Sequence, residues 1–193
     1  IDGSGLKVYG EGEWKIRTHG YSKRRTWRKF HLAIDTADQT IHGVTLTTND
    51  FKDNEVFEET VSQIAGPISD ITGDGAYDSK NCYNTCKKMN ATAIFPPRKG
   101  AVIHQHGKLK KEPLARDQTI RHIRDFGRKA WKQQVRYHRR SLVETAMFRF
   151  KKLFTSELKS RNFMSQANEV FIKCNILNQF TRIGLANSVA HQR

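Results

Sequence analysis

Hydrophobic and polar positions alternate most clearly between Trp27 and Leu46. There Phe30, Leu32 and Ile34 alternate with Lys29, His31 and Ala33, a turn-like stretch from Asp35 to Gln39 follows, and Ile41, Val44 and Leu46 resume the extended pattern. This predicts a β-hairpin. Beyond a polar, cap-like stretch from Asn49 to Asn54, Val56, Phe57, Val61 and Ile64 recur at near-helical spacing until Gly66-Pro67 breaks the pattern, which predicts one amphipathic helix. The segment from Pro67 to Gly75 is short, contains Ile68, Ile71 and Thr72 and ends in glycines, so it reads as a short strand with Asp74 at its tip. Asp78 or Ser79 can then cap a helix bearing Cys82, Tyr83, Cys86 and Met89, and Ala91 to Phe95 reads as a strand stopped by Pro96-Pro97.

The second half is helical in pattern. Residues from Arg98 to Lys111 are basic and lack an apolar period, so they predict an exposed, mobile loop before a short helix around Leu114 to Arg124. Gly127 separates that helix from a stretch, Arg128 to Arg161, with neither Pro nor Gly. In it Leu142, Val143, Ala146, Met147, Phe150, Leu153 and Phe154 repeat at helical spacing, and the prediction is one long amphipathic helix. A further helix through Val170, Ile172, Ile176, Leu177 and Phe180 should pack behind it, with fraying from Asn187. The length of 193 residues allows one domain with a substantial core, or one domain plus an arm, and is too short for two ordinary domains. We divide it as 1–160, with a basic loop at about 98–111, and 161–193 as a C-terminal helix and tail.

Charge changes this picture from a fold to a partner. Lys and Arg number 34 against 19 Asp and Glu, a formal net charge of +15, and that excess favours a polyanion whose counterions are released on binding. Cys82, Cys86 and Cys174 form no even disulfide framework and no zinc pattern, so they read as core thiols of a reduced, cytoplasmic protein. No apolar run approaches the roughly 18 residues of a membrane span, and no secretory signal opens the chain. The chain starts at Ile1 with Asp2 following at once, and it reads as a fragment.

The acids carry the candidate chemistry. On a continuous helix Tyr137, Arg140, Glu144 and Lys151 would fall within an arc of about 60°, roughly 120° from the apolar face. One acid thus sits in a cationic stripe, although an Arg140–Glu144 pair on any solvated helix would give the same spacing. Asp2 lies near the expected start of a sheet and Asp74 at a strand's end, and each is followed by glycine, which allows close approach. Carboxylates placed so can converge, and hard cations such as Mg²⁺ prefer oxygen ligands.

Three stretches carry a family resemblance: Asp2-Gly3-Ser4-Gly5-Leu6-Lys7, Gly73-Asp74-Gly75-Ala76-Tyr77-Asp78, and Tyr137-x2-Arg140-x3-Glu144-x6-Lys151. Together they resemble the DDE transposases of bacterial insertion sequences, of the families numbered four and five. The resemblance covers essentially the whole chain. It implies an α/β, RNase H-like fold with a mixed sheet flanked by helices, and Asp2, Asp74 and Glu144 as ligands of two Mg²⁺ (or Mn²⁺) ions. It further implies that Tyr137, Arg140 and Lys151 contact double-stranded DNA at transposon ends, that target DNA is a second partner, and that the protein acts as a homodimer assembled on DNA in the bacterial nucleoid. Asp78 is a near miss, explained by helix capping.

Other basic residues have a DNA reading and a plainer one. Arg24 and Arg25 lie among interleaved aromatics and read as DNA contacts, whereas Trp27 reads as core. Arg98 and Lys99 open the basic loop and read as a grip on DNA, with a solvated connector as the alternative. His104 and His106 lack partners for a metal site and read as loop residues. Two rivals to an active transposase remain: another RNase H-like nuclease, and an inactive DNA-binding transposase remnant.

Overall fold

The computed structural model describes residues 1–8, 27–105 and 114–184. Among them, strands β1 (Asp2–Val8), β2 (Trp27–Ile34), β3 (Ile41–Thr48) and β6 (Glu157–Leu158) form a sheet in the order β3-β2-β1-β6. β1, β2 and β3 pair antiparallel and β6 joins β1 parallel. A second, parallel pair holds β4 (Asp70–Thr72) and β5 (Thr92–Ile94). The Ile1 amine donates to the Thr72 carbonyl at 2.8 Å, which ties the start of β1 to the end of β4. The helices are α1 (Phe57–Val61), α2 (Lys80–Lys88), α3 (Ala115–Gln134), α4 (Ser141–Phe154) and α5 (Phe163–Ile183).

The alternation in β2 works because both faces of the sheet are covered. Phe30 and Leu32 join Leu6, Val44 and Leu46 against Val143, Met147 and Phe150 of α4 and Val170, Cys174 and Leu177 of α5. Phe30 and Phe150 meet ring to ring at 5.0 Å. On the other face Ala33 joins Phe57 and Val61 of α1, Ile71, Tyr77, Cys82, Cys86 and Phe95. The three cysteines are buried and unpaired, as expected of core thiols, and burial pushes Cys86 and Cys174 up to about 12.

The outer edge of β3 is closed by side-chain amides. Gln63 accepts from the Val44 amide and donates to its carbonyl, both at 3.0 Å. Asn178 does the same for Ile41 at 2.8 Å. A Cβ at Gly43 would collide with the Thr60 carbonyl oxygen, so glycine there lets α1 lie close to β3.

Three expectations are corrected. The stretch from Arg128 to Arg161 is not one helix. Gly127, with a φ of 84°, divides α3 into two helical segments as expected, but the second stops at Gln134; Arg136 is left-handed and a 3-10 turn, Tyr137–Arg140, leads into α4. α4 ends at Thr155, with φ 67°, because the chain must turn to pair Glu157 and Leu158 with β1. Burial of Leu158, with no exposed surface, outweighs continued helix propensity. Trp27 is 37% exposed rather than core; it stands at the start of β2, where Lys7 lies over its ring. The helix expected around Val56 to Ile64 is only five residues long.

Two outcomes follow from this packing. Phe150→Ala removes the ring that joins α4 to the sheet and should cost about 3–5 kcal/mol in urea unfolding. Glu169 accepts from the Lys159 and Ser160 amides and from Lys173. Burial works against its charge, but these donors hold its carboxyl down at about 2. The stability it confers is present above its unfolded value of 4.5 and is lost as pH falls towards 2. The urea midpoint of the unchanged chain should therefore fall more between those pH values than that of Glu169→Gln.

Candidate active site

β1 sets up the candidate site through its alternation. Asp2 pairs with Leu32 and Ser4 with Phe30, so Asp2 and Ser4 share the face that looks onto α4. Arg140, at the N-terminal edge of α4, reaches this face: its Nη1 lies 2.8 Å from Asp2 Oδ2, and its Nη2 pairs with Glu144 Oε1 on the same helix. Two turns further on, Lys151 Nζ donates to Ser4 Oγ at 2.6 Å. Arg140, which ends the 3-10 turn, and Lys151 of α4 therefore meet the first half of β1 directly, while Glu144 reaches it through Arg140.

Asp74 comes from a separate element. It follows β4 in extended backbone and caps the 3-10 turn Gly75–Tyr77, its Oδ1 accepting from the Ala76 amide at 2.8 Å. Gly73 precedes it because the Tyr77 ring packs there: a Cβ at Gly73 would stand 2.5 Å from Tyr77 Cδ2. The Ile1–Thr72 bond brings Asp74 to the Asp2 end of β1. The carboxylate oxygens of Asp2, Asp74 and Glu144 do not all lie within 4.8 Å of one another, so the three acids share one end of the sheet without forming a closed ligand cluster. The Asp2 carboxyl is pushed above its usual range first by burial, with the charge of Asp74 adding to it against the pull of the Gly3 amide and Arg140. Tyr137 is also raised, by burial and then by the charges of Asp74, Asp2 and Glu144, with Arg140 opposing. Tyr137 lies on the 3-10 turn and not on the helix of Glu144. Its ring lies 5.8 Å from that of Trp131 and is flanked by Lys132.

Asp2, Asp74 and Glu144 offer only oxygen ligands, and one guanidinium already balances two of them. That donor set suits a hard divalent cation rather than zinc or copper. A different trio, Asp35, Asp38 and His42, has ligand atoms within 4.8 Å of one another and is the one such group among the described residues. All three are exposed, and Asp35 and Asp38 accept from Ala37 and Thr40 while His42 meets the Thr40 hydroxyl, so the group closes the hairpin turn.

A family model described as "Transposase DDE domain" matches residues 1–179. The chain belongs to the DDE transposase domain family. Its α/β architecture, a mixed sheet flanked by helices, is the RNase H-like fold of that family. No solved structure matches the chain. The family acts on DNA by phosphoryl transfer and in general uses divalent metals. Among the described residues of this DDE domain, no helix is long and apolar enough to cross a membrane.

The structure also places the remaining residues singled out from sequence. Arg98 and Lys99 are exposed and follow β5, whose parallel pairing with β4 puts them at the Asp74 end of the sheet. Arg24, Arg25 and His106 lie outside the described residues. The segment expected to be mobile is tied down as far as Gln105. Asp117, buried with no exposed surface, accepts from the His104 amide at 3.1 Å and the Gln105 amide at 2.8 Å. Arg116 pairs with Asp78 at 2.8 Å and donates to the Val102 carbonyl.

Asp78 is therefore an anchor for the DDE domain's basic segment, and Ser79 is the cap of α2. Sequence reading missed the roles of Asp78, Asp117 and Ser4. An acid in the first turn of a cationic helix was the available signal for Asp117. Asp117→Ala should leave two amides without their acceptor at a cost of about 1–3 kcal/mol. Hydrogen exchange at His104 and Gln105 should speed up while that of β2 stays unchanged.

Proposed function

We infer that this chain is the catalytic domain of an insertion-sequence transposase, performing Mg²⁺-dependent cleavage of double-stranded DNA at element ends and strand transfer into target DNA. The observation that carries this reading is the Arg140 bridge. It joins Asp2 on β1 to Glu144 on α4, and the Ile1–Thr72 bond sets Asp74 at the same end of β1, in a chain of the DDE family. In the proposal Asp2, Asp74 and Glu144 hold two Mg²⁺ (or Mn²⁺) ions. Such ions activate an attacking water or 3′-hydroxyl and stabilise the leaving oxygen.

The chain's own residues supply position and charge. Asp2 is fixed by the Gly3 amide and Arg140, and Asp74 by the Ala76 amide, so two of the acids meet DNA in set orientations. Arg140 is planar and multiply donating, which suits a phosphate as well as carboxylates. With Tyr137 and Lys151 it forms a cationic and aromatic border to the acids, placed for the DNA backbone beside the cleaved bond. Arg98 and Lys99, and from sequence Arg24 and Arg25, would extend the grip. The formal charge of +15 supports binding that weakens steeply with salt. We place this activity in the bacterial nucleoid, with the protein working as a homodimer on DNA.

Nicking of element-end duplexes in Mg²⁺ is the direct test. Asp74→Asn and Glu144→Gln should each lower it about a thousandfold, the loss of roughly 4 kcal/mol of transition-state stabilisation, while leaving binding in the absence of metal nearly intact. Unchanged nicking in either variant would sink the assignment. Faster cleavage of RNA–DNA hybrids than of duplex DNA would favour the rival nuclease. Binding without nicking by the unchanged chain would mark an inactive DNA-binding remnant.

A further inference from the structure

Behind β1 lies a second group of charged side chains. Asp2, Ser4 and Leu6 look towards α4, so Gly3 faces the other side of the sheet. A Cβ at Gly3 would stand 2.5 Å from Asp53 Oδ1, 3.0 Å from His31 Nδ1 and 3.2 Å from Lys29 Cε. The carboxylate of Asp53 is thus pressed against the bare Cα of the residue that follows Asp2.

Asp53 belongs to the polar stretch between β3 and α1, where sequence suggests only helix capping, yet it is held as a buried anchor would be. Lys29 Nζ lies 2.8 Å from its Oδ1. Nδ1 of His31, a residue with no exposed surface, lies 3.3 Å from the same oxygen. The other ring nitrogen of His31 meets Thr47 Oγ1 at 3.2 Å. Burial opposes charge on Asp53, but His31 and Lys29 keep its carboxyl below the usual range. The charge of Asp53 also bears on Tyr77. Tyr77, whose ring backs Gly73, has its phenol pushed far up by burial and then by the charge of Asp53, ahead of Asp2 and Asp74.

We propose that Asp53, anchored by Lys29 and His31, is a positioning residue for DNA cleavage: it braces Gly3 from behind and so fixes the direction of the Asp2 carboxylate relative to Asp74. The proposal rests on the reading of Asp2 and Asp74 as metal ligands. Its physical basis is that β1 carries glycine at positions 3 and 5 and is correspondingly pliable. Arg140 and Lys151 contact its front face and β2 pairs along its length, while Asp53 supports from behind the residue, Gly3, that has no side chain of its own to pack there. Displacements of about 1 Å in such a site cost on the order of a hundredfold in rate.

The test uses the whole chain carrying Asp53→Asn, with Asp74→Asn as the reference for a lost ligand. Mn²⁺ binding is followed by water-proton relaxation, alongside Mg²⁺-dependent nicking, the melting temperature and hydrogen exchange at the Gly3 amide, which donates to Asp2 Oδ1. Asp53→Asn should weaken Mn²⁺ binding and lower kcat for nicking about tenfold or more, with KM for DNA unchanged and Gly3 exchange faster. A lower melting temperature with unchanged Mn²⁺ affinity and kcat would overturn the proposal, reducing the group to a structural ion pair. If the unchanged chain binds no Mn²⁺, the functional reading fails instead. Gly3 exchange then decides alone: faster exchange supports the brace and unchanged exchange overturns it. Should Asp53→Asn not fold, Lys29→Met removes one anchor and takes its place in the same comparison.

Discussion

Gathering carboxylates at one end of a sheet is opposed by their mutual repulsion and by the loss of water around each. The structure meets that cost with one guanidinium. Arg140 spans Asp2 and Glu144, and no lysine could do so as well, because the two carboxylates lie in different directions and need a forked donor. The bridge also ties α4 to β1 at the point where the helix begins. Its two halves differ in strength: Glu144 is 51% exposed on its side chain and its pair with Arg140 is weak, whereas Asp2 and Arg140 are 18% and 22% exposed and their contact is better shielded.

β1 is the element on which the separate parts of the site bear. Its front face meets Arg140 and Lys151, its start bonds to β4, its far end pairs with β6, and its back meets Asp53 through Gly3. Such dependence fits the two glycines in this strand: each admits a neighbour, Asp53 at Gly3 and the Trp27 ring at Gly5. The strand gives up intrinsic stiffness and gains contacts that only a bare Cα allows.

How far the sequence was legible depended on whether a pattern was local. The hairpin could be read from its alternation and the short strands β4 and β5 from their flanking breakers, whereas the parallel pairing of β4 with β5 could not. The apolar face of α4 could also be read, since Val143, Ala146, Met147 and Phe150 are buried as their spacing implies. The single helix from Arg128 to Arg161 was misread because its interruptions come from tertiary demands, the burial of Trp131 and Leu158, which propensity does not record. Of the candidate site, the closeness of Arg140 to both Glu144 and Asp2 was half visible: the first is a helical spacing, the second spans most of the chain. Asp53, Asp78 and Asp117 were illegible as anchors, since an acid in a polar stretch looks the same whether it faces solvent or a buried amide.

The amide caps on β3 bear on how this molecule can meet others. An open sheet edge invites a further strand, from a partner or from another copy. Here Gln63 and Asn178 occupy the hydrogen-bonding positions that such a strand would need, and each comes from a helical region packed on the sheet. Strand addition at β3 would have to displace both. Growth of the sheet in that direction is thereby disfavoured, and contacts with other molecules fall more readily to the helices and charged surfaces than to this edge.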